Sequence, residues 1–321
     1  MSRQSLVADI GGTNTRVALA RDGVLVDAST RAFRNSEFGA LEPVLRQFIE
    51  EAGCGAPDAA CIAMAGPVFE GRGKMTNLDW VLDVDVLARA TGAGTVALLN
   101  DLQAQGHALG HLSADRLHPI IGAHETSGEA AQLVVGVGTG FNAAPVWNTE
   151  TGRYVPPSEC GHASLPARRD DDRRLAAFVE HNHGFASIED VLSGRGLERI
   201  HSWLCSERQT GDGASAAEVM QAAETGGDPC AQDAVATFVR LLGNVTGDLA
   251  LTHLPFGGIY LIGGVARAMV PHMHTNGFVE AFRDKGRFST FMERFDVTVV
   301  EDDYAALIGS IVHLEHRMAQ S

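Results

Sequence analysis

The spacing of apolar and polar residues changes several times in the first third of the chain, and each change predicts an element. Alternating runs predict a three-stranded meander near residues 4–10, 14–20 and 23–28. Apolar residues from Leu41 to Ile49 recur every three or four positions, which predicts a helix with one face on that sheet. Continuous apolar runs predict buried strands at 59–64 and 95–99, followed by a helix over 102–109. This order indicates an α/β layer.

A similar order of elements begins again after about residue 110. Helical spacing predicts helices near residues 172–183, 189–206, 215–224 and 230–253. Buried strands are expected at 259–262 and 296–300, and a terminal helix is expected over 304–316. The two halves resemble one another in outline, and no linker rich in proline or serine separates them. We therefore predict two related α/β lobes.

One local pattern occurs twice: an apolar strand enters a turn of glycine and threonine, and a second strand leaves it. The first copy contains Gly11-Gly12-Thr13 and the second contains Gly138-Thr139-Gly140. Such turns let backbone N–H groups approach an anion, so two copies indicate two turns that hold phosphate. A pair of purely structural hairpin turns is the alternative. The Walker A pattern is absent, because Lys74 lacks its glycine spacing and the adjacent Ser or Thr. A dinucleotide-binding pattern fits poorly, because each turn leads into a strand where that pattern needs a helix.

Polar residues stand at strand ends and in one predicted loop. A carboxylate at Asp9 either caps the first turn or meets a cation, and we favour the cation. Asp101 follows another apolar strand and fits a helix N-cap and a catalytic base equally well. Glu159 and His162 share a loop, which suits hydrogen bonds to a polyhydroxyl ligand and also plain surface exposure. Glu189 alone is typical of a solvated first helical turn.

The charge balance narrows the set of partners. The 321 residues include 40 acidic and 25 basic side chains, for a formal net charge of −15. That charge repels nucleic acid and anionic membrane surfaces, so neither is expected as a partner. It also repels a nucleotide, which would need backbone dipoles or a divalent cation to bind. The balance therefore favours a metal-bound nucleotide.

The cysteines and the first residues bear on the compartment. The five cysteines form no C-x-x-C pair, and their odd number argues against a disulfide framework. Neither H-x-H pair has a third ligand at an informative spacing, so we assign no zinc site. The residues before the first strand contain no apolar stretch that suits a signal peptide or a membrane span. We expect a cytoplasmic protein with reduced thiols.

Taken together, eight segments resemble the motifs of bacterial glucokinases of the hexokinase/actin-like superfamily in order and spacing. The segments are Asp9 to Arg16, Met75-Thr76-Asn77 with Trp80, Leu99 to Asp101, Gly136 to Gly140, Glu159 to His162, Glu189 with Leu192 to Gly194, Ile262 to Gly264, and Asp284 to Phe288. The resemblance covers nearly the whole chain. It is greater to the zinc-free glucokinases than to the related ROK kinases, because the chain has no cysteine-rich zinc segment.

The resemblance implies a fold and a reaction. The fold is an α/β, two-lobed actin-like ATPase (ribonuclease H-like) fold with a ligand cleft between the lobes. The small lobe would span residues 1–108, with a C-terminal helix over 301–321 packing back on it, and the large lobe would span 109–300. The reaction is ATP-dependent phosphorylation of glucose to glucose 6-phosphate, and a homodimer is implied.

The resemblance also implies roles for individual residues. Asp101 corresponds to the catalytic base. The sugar-binding positions are Asn100, Asp101, Glu159, His162 and Glu189. The ATP-binding positions are Ala8, Asp9, Ile10, Gly11, Gly12, Thr13, Gly138, Thr139, Gly140, Gly263 and Gly264. Mg²⁺ is expected to accompany ATP, with Asp9 near it through water.

Two segments depart from the family pattern. Phe141-Asn142 follow the second turn where small or glycine-rich residues are usual, and Cys160 stands where glycine is usual. Two other functions also fit the motifs: a kinase for another hexose or an N-acetylhexosamine, and a non-catalytic sugar- or nucleotide-binding regulator. The regulator is disfavoured by the negative charge and because no helix-turn-helix precedes the first strand.

Overall fold

The computed structural model describes residues 2–75, 77–122, 129–150 and 152–320. Thr76, in one of the motifs above, lies outside the described residues. The strands are β1 Gln4–Ile10, β2 Asn14–Arg21, β3 Val24–Leu25, β4 Arg31–Arg34, β5 Ala59–Met64, β6 Val68–Phe69, β7 Arg72–Lys74, β8 Val81–Asp83, β9 Thr95–Asn100, β10 Leu117–Ile121, β11 Gln132–Val137, β12 Phe141–Thr149, β13 Gly152–Tyr154, β14 Ile259–Ile262 and β15 Val297–Val300.

The helices lie between groups of these strands, which is typical of an α/β protein. They are α1 Leu41–Ala52, α2 Val84–Thr91, α3 Asp101–Ala108, α4 Asp170–His183, α5 Ile188–Val191, α6 Gly194–Arg208, α7 Ala216–Thr225, α8 Pro229–His253, α9 Gly264–Met273, α10 Phe278–Arg283 and α11 Ala305–Ala319.

Contacts divide the chain into two compact units. Unit 1 contains Met1–Ala114, Val146–Pro157 and Asp302–Ser321. Its main sheet has the strand order β3-β2-β1-β5-β9, with β4 paired to β2. The hairpin β1–β2 is antiparallel, whereas β1, β5 and β9 are parallel. The parallel strands are buried on both faces, which explains their continuous apolar sequence.

The two faces of this sheet pack on different helices. Along β1, Leu6, Ala8 and Ile10 belong to the core that includes α1 and α2, while Val7 belongs to the core that includes α11. Successive side chains of a strand point to opposite faces, so one apolar strand can serve both helix layers.

Unit 2 contains Asp115–Pro145 and Ser158–Glu301. Its sheet has the order β10-β15-β14-β11-β12, in which β11, β14 and β15 are parallel. The order β12-β11-β14-β15 repeats the order β2-β1-β5-β9 of unit 1. In both units a glycine turn joins the hairpin strands, and two further parallel strands continue the sheet. The repeated pattern in the sequence therefore corresponds to a repeated topology.

The long helix α8 forms the centre of the unit 2 core. The helix has 25 residues, and the mean hydropathy of its most apolar stretch is 1.2. By length and composition alone it could span a membrane. However, 67% of that stretch is buried inside the protein, against helices such as α6 and α10. The apolar character of α8 is thus explained by core packing.

The predicted helix over 189–206 is wrong, because the structure has two helices there, α5 and α6. Leu192 leaves the helical region with φ −104° and ψ 55°, and Ser193 is extended. The Ser193 hydroxyl then accepts a hydrogen bond from Gly196 N–H at 3.1 Å and caps α6. The strand predicted over 23–28 is also shorter, since β3 covers Val24–Leu25 and a 3₁₀ turn follows at Asp27–Ser29.

The hairpin segment Val146–Pro157 belongs to unit 1, although the predicted small lobe does not include it. Gln103 Nε2 donates to the Val155 carbonyl at 2.8 Å, and Arg153 donates to the His107 carbonyl at 3.0 Å. Both bonds join the segment to α3. Local sequence pattern carries no sign of such contacts, because the partners lie about fifty residues apart.

A buried histidine pair in unit 1 should make stability depend on pH. His107 on α3 and His313 on α11 have ring nitrogens 3.2 Å apart. Burial, with the positive charge of neighbouring groups, lowers the pKa of His107 to about 3 and that of His313 to about 4. Both pKa values lie below the unfolded value, so the unfolded chain takes up protons first as pH falls. The contribution of these two histidines to stability should be full above about pH 6.5 and should decline as pH falls toward about 4.

We therefore expect His107→Gln to weaken this pH dependence. Between pH 7 and pH 5, the free energy of unfolding in urea should fall less in the variant than in the wild type. The difference should be up to about 2 kcal/mol, because one shifted histidine is removed. The control is His181→Gln, which changes an exposed histidine of α4. Equal pH dependence in His107→Gln and the wild type would contradict the expectation.

Candidate functional site

The first glycine turn joins β1 to β2 and is exposed. Gly11 N–H donates to the Asn14 carbonyl at 3.0 Å and closes the turn. Gly11 N–H is therefore engaged within the protein. Gly12 and Thr13 N–H have no acceptor among the described residues. Backbone N–H groups grouped in this way can bind an anion.

Asn35, which the sequence analysis does not single out, holds the first turn in place. The residue is 3% exposed. Its backbone N–H donates to the Thr13 carbonyl at 2.9 Å, and its Nδ2 donates to the Gly11 carbonyl at 2.8 Å. Its Oδ1 accepts from the Thr15 hydroxyl at 2.7 Å. One asparagine thus fixes both ends of the turn from a segment that resembles an ordinary polar loop in sequence.

Asp9 lies directly before the first turn on β1, opposite Arg16 of β2. The residue keeps some solvent exposure, but its carboxylate is enclosed. Burial raises the pKa of Asp9 to about 6, and the charge of Arg16 partly opposes this effect. An enclosed carboxylate of this kind is stabilised in its ionised form when a cation approaches.

Asn100 and Asp101 lie at the end of β9, on the same sheet edge as the first turn. Ile10, Met64 and Asn100 are in register across β1, β5 and β9. Two strand spacings separate the end of β1 from the end of β9, which is about 10 Å. Because parallel strands end at a common edge, Asp101 and the first turn face the same region of unit 1.

Asn100, rather than Asp101, is the N-cap of α3. Asn100 Oδ1 accepts from Leu102 N–H at 3.0 Å, and its Nδ2 donates to the Gly66 carbonyl at 3.1 Å. Asp101 is the first residue of the helix, and its Oδ1 also accepts from Leu102 N–H, at 2.8 Å. The Leu102 N–H thereby fixes one carboxylate oxygen of Asp101. Asn100 therefore occupies the N-cap position, which was one of the two alternatives for Asp101.

The second glycine turn joins β11 to β12 in unit 2. Gly138 N–H donates to the Gly140 carbonyl at 2.9 Å, and Gly194 N–H donates to the Gly138 carbonyl at 2.9 Å. Gly194 is the first residue of α6. The break between α5 and α6 thus brings the N-terminus of α6 against the second turn.

Glu189 on α5 contacts this turn, although its sequence context is typical of a solvated residue. Its Oε2 accepts from Phe141 N–H at 2.9 Å, and the same oxygen fills the space beside Gly140. The Glu189 side chain is 24% exposed. The interpretation of Glu189 as an ordinary solvated residue is therefore wrong, because this carboxylate joins α5 to the start of β12.

Glu159 and His162 lie in a loop that packs on the start of β12. Residues 160–162 form a 3₁₀ turn, and a side chain at Gly161 would overlap the Phe141 carbonyl. Only glycine allows this close approach. Partial burial raises the pKa of Glu159, His162 opposes the rise, and Glu189 adds to it. The loop and α5 thus group an imidazole with two carboxylates, Glu159 and Glu189, a set that can donate to and accept from hydroxyl groups.

Gly263 and Gly264 connect β14 to α9 beside the second turn. Gly263 has φ +116°, and a side chain there would overlap the Val137 carbonyl. Strands β11 and β14 are parallel, with Gly136 opposite Ile262. The N-terminus of α9 therefore starts at the same sheet edge as the second turn, and helix N-termini favour negative charge.

The predicted site residues thus form two groups. Unit 1 brings together Ala8 to Thr13 with Asn100 and Asp101, at the carboxyl edge of β1, β5 and β9. Unit 2 brings together Gly138 to Gly140, Glu159, His162, Glu189, Gly263 and Gly264, near the carboxyl ends of β11 and β14. Within each group, the arrangement suits binding of an anion beside polar side chains.

Comparison with known proteins gives a consistent result. A family model described as Glucokinase matches residues 6–317. A curated relative from Caulobacter vibrioides strain NA1000 / CB15N, named Glucokinase, is 35% identical over 323 aligned positions. The alignment covers 96% of this chain and 94% of the relative.

Solved structures show the same fold. The crystal structure of a glucokinase from an Antarctic psychrotroph has a TM-score of 0.85 and 32% identity, covering 97% of this chain and 98% of that one. A ROK family glucokinase from Streptomyces griseus, solved with glucose and AMPPNP, has a TM-score of 0.63 and 21% identity. That match covers 96% of this chain and 98% of the other. The predicted two-lobed, actin-like α/β fold is confirmed.

The enclosed carboxylate of Asp9 should lower stability at neutral pH. Its pKa is raised in the folded state, so its contribution to stability is full below about pH 3.8 and is lost as pH rises through about 6. We expect Asp9→Asn to raise the free energy of unfolding at pH 8 by about 2 to 3 kcal/mol, and the gain to vanish near pH 4.

Urea unfolding at both pH values measures this gain. Asp27→Asn, which changes an exposed carboxylate of unit 1, is the control and should leave stability within about 0.5 kcal/mol. An Asp9→Asn variant no more stable than the wild type at pH 8 would show that the ionised carboxylate carries no burial cost.

Proposed function

The chain belongs to the glucokinase family and is a glucose kinase, and we propose that it uses MgATP through its two glycine turns, with Asp101 as base. The observation that carries this proposal is the register of Ile10, Met64 and Asn100. The end of β1, which enters the first glycine turn, and the end of β9, which enters Asp101, lie at one sheet edge, two strand spacings or about 10 Å apart. A phosphoryl donor and an acceptor hydroxyl need this combination of anion-binding N–H groups and a nearby base.

We assign sugar binding to polar side chains in each group. Glu159, His162 and Glu189 supply acceptors and a donor, and Asn100 and Asp101 supply an amide and a carboxylate. The Glu189 carboxylate is held by Phe141 N–H, so its position is defined before a sugar arrives. A site built from such groups discriminates strongly, because a sugar that lacks a matching hydroxyl leaves buried polar groups unpaired.

Asp101 would accept the proton of the glucose 6-hydroxyl as that oxygen attacks the γ-phosphorus, while the bond from the γ-phosphorus to the bridging β–γ oxygen breaks and ADP leaves. The Leu102 N–H holds one of its carboxylate oxygens, which limits rotation of the side chain. Phosphoryl transfer depends mainly on positioning and on stabilisation of charge. We assign Asp101 a role in the chemical step that is larger than its role in sugar affinity.

We assign phosphate binding to the N–H groups of Gly12 and Thr13 in unit 1 and to the second turn in unit 2, and adenosine binding to the N-terminus of α9. The Glu189 carboxylate would orient that second turn through Phe141. Such N–H groups stabilise negative charge as it develops during transfer.

The residues present fit a magnesium ion that arrives with ATP. Among the described residues, no group of three or more His, Cys, Asp and Glu side chains could hold a metal. Magnesium needs only one or two protein carboxylates, since it usually keeps several waters and binds phosphates. Asp9, whose carboxylate is enclosed, is the residue that would face it through water. When bound, magnesium would neutralise charge on the β- and γ-phosphates.

Replacing the base tests the chemical role directly. Asp101→Asn keeps an oxygen that can accept from Leu102 N–H, so the fold should persist. We expect kcat for glucose with MgATP to fall at least about 100-fold, while the KM for glucose changes only a few-fold. A coupled assay of ADP formation measures both constants.

The matched control is Asp85→Asn, which changes an exposed carboxylate in the first turn of α2. It should leave kcat unchanged. Near-normal turnover in Asp101→Asn would remove Asp101 from the mechanism.

Replacing a sugar-binding carboxylate should affect KM instead. Glu159→Ala should raise the KM for glucose about tenfold or more and leave the KM for MgATP unchanged, because it removes an acceptor for a sugar hydroxyl. Glu224→Ala, an exposed position on α7, is the control. An unchanged KM for glucose would show that this loop lies outside the sugar site.

The same assay should include mannose, fructose and N-acetylglucosamine. We expect glucose to give the highest kcat/KM. A higher value for another sugar would replace glucose as the substrate. Absence of sugar-dependent ADP formation would contradict the kinase proposal itself.

A further inference from the structure

Asn142 and Cys160, which come from the two segments that depart from the family pattern, are in contact with each other. Asn142 Oδ1 accepts from Cys160 N–H at 3.2 Å, and Cys160 Sγ lies 3.6 Å from the same oxygen. Cys160 Sγ also lies 3.8 Å from the Ala143 carbonyl. Two departures that are 18 residues apart in the chain thus form one local arrangement.

The Asn142 side chain holds the backbone on both sides of Glu159. Its Nδ2 donates to the Ser158 carbonyl, and its Oδ1 accepts from the Cys160 N–H. The same Oδ1 accepts from Ala143 N–H at 2.9 Å, which ties the side chain to its own strand. The amide therefore links β12 to the two peptide groups that flank the Glu159 carboxylate.

The Glu159 side chain makes no capping hydrogen bond to the 3₁₀ turn that follows it. Its backbone has φ −135° and ψ 43°, outside the regular helix and strand regions. Its placement therefore depends on neighbouring contacts. On one side the Gly161 backbone lies close to the Phe141 carbonyl, and on the other side the Asn142 amide donates a hydrogen bond to the Ser158 carbonyl.

Cys160 supports this arrangement through packing. Its side chain is partly buried against the unit 2 core. Burial raises the pKa of the Cys160 thiol, so the group is a neutral small side chain at neutral pH. It fills the space beside Asn142 that glycine would leave open.

We propose that Asn142 is a positioning residue that sets the affinity and selectivity for the sugar by holding Glu159 in one orientation. The inference rests on the sugar role of Glu159 given under the proposed function. Hydrogen bonds weaken steeply when distance and angle depart from the optimum, so a looser loop contacts a sugar hydroxyl less well.

The test compares Asn142→Ala, Glu159→Ala and the double variant in the intact protein. Asn142→Ala should raise the KM for glucose about three- to tenfold, the effect of one hydrogen bond. It should leave kcat and the KM for MgATP within about twofold, and the preference for glucose over mannose should fall. In the double variant, the KM for glucose should equal that of Glu159→Ala, because Asn142 acts through Glu159.

Hydrogen exchange gives a readout that does not depend on sugar binding. The amide hydrogens of residues 158–162 should exchange faster in Asn142→Ala than in the wild type, while those of α8 should stay unchanged. Asn182→Ala is the control, because it removes an amide that donates to the Phe178 carbonyl at 2.8 Å on α4. It should leave both the loop exchange and the KM for glucose unchanged.

The outcomes separate the two claims. Unchanged exchange in the loop, or a KM effect that multiplies with that of Glu159→Ala, would overturn the role of Asn142. Faster exchange without a change in KM, in a protein where Glu159→Ala does raise KM, would overturn it too. An unchanged KM in Glu159→Ala would instead overturn the sugar role of Glu159, and this inference with it.

Discussion

The parallel pairing of β1, β5 and β9 is the constraint on which the candidate site of unit 1 depends. Parallel strands in register end at one edge of the sheet, so the turn after β1 and the helix after β9 must both start at that edge. A shift of one residue would reverse the faces of every side chain on the shifted strand and expose the core. The buried apolar residues of β1 and β5 therefore fix the location of Asp101 relative to the first glycine turn.

Unit 2 has the same arrangement of parallel strand ends, with different side chains. There β11 and β14 end together, and the carboxylate that meets the second turn comes from α5 rather than from a strand. Both units combine apolar strands that set register with polar groups at the strand ends. In unit 1 we expect one of those polar groups, Asp9, to lower stability, because burial opposes its ionisation.

Much of the fold follows from the spacing of apolar residues, because buried strands and amphipathic helices leave a clear period. The break between α5 and α6 does not, since Ser193-Gly194 lies within an otherwise continuous helical pattern and acts through a local cap. The roles of Asn35 and Asn142 also leave no local signal. Each depends on a partner that is distant in sequence, Gly11 for Asn35 and Ser158 for Asn142. Sequence motifs located the candidate residues, whereas the contacts that position them are tertiary.

In this mechanism the carboxyl edges of the two sheets hold the reacting groups. The most direct measurement is a crystal structure of this protein with glucose and AMPPNP bound. We expect the glucose 6-hydroxyl within about 3 Å of the Asp101 carboxylate and phosphate oxygens on the N–H groups of Gly12 and Thr13. A glucose 6-hydroxyl that contacts no carboxylate of unit 1, or phosphates away from both glycine turns, would contradict it.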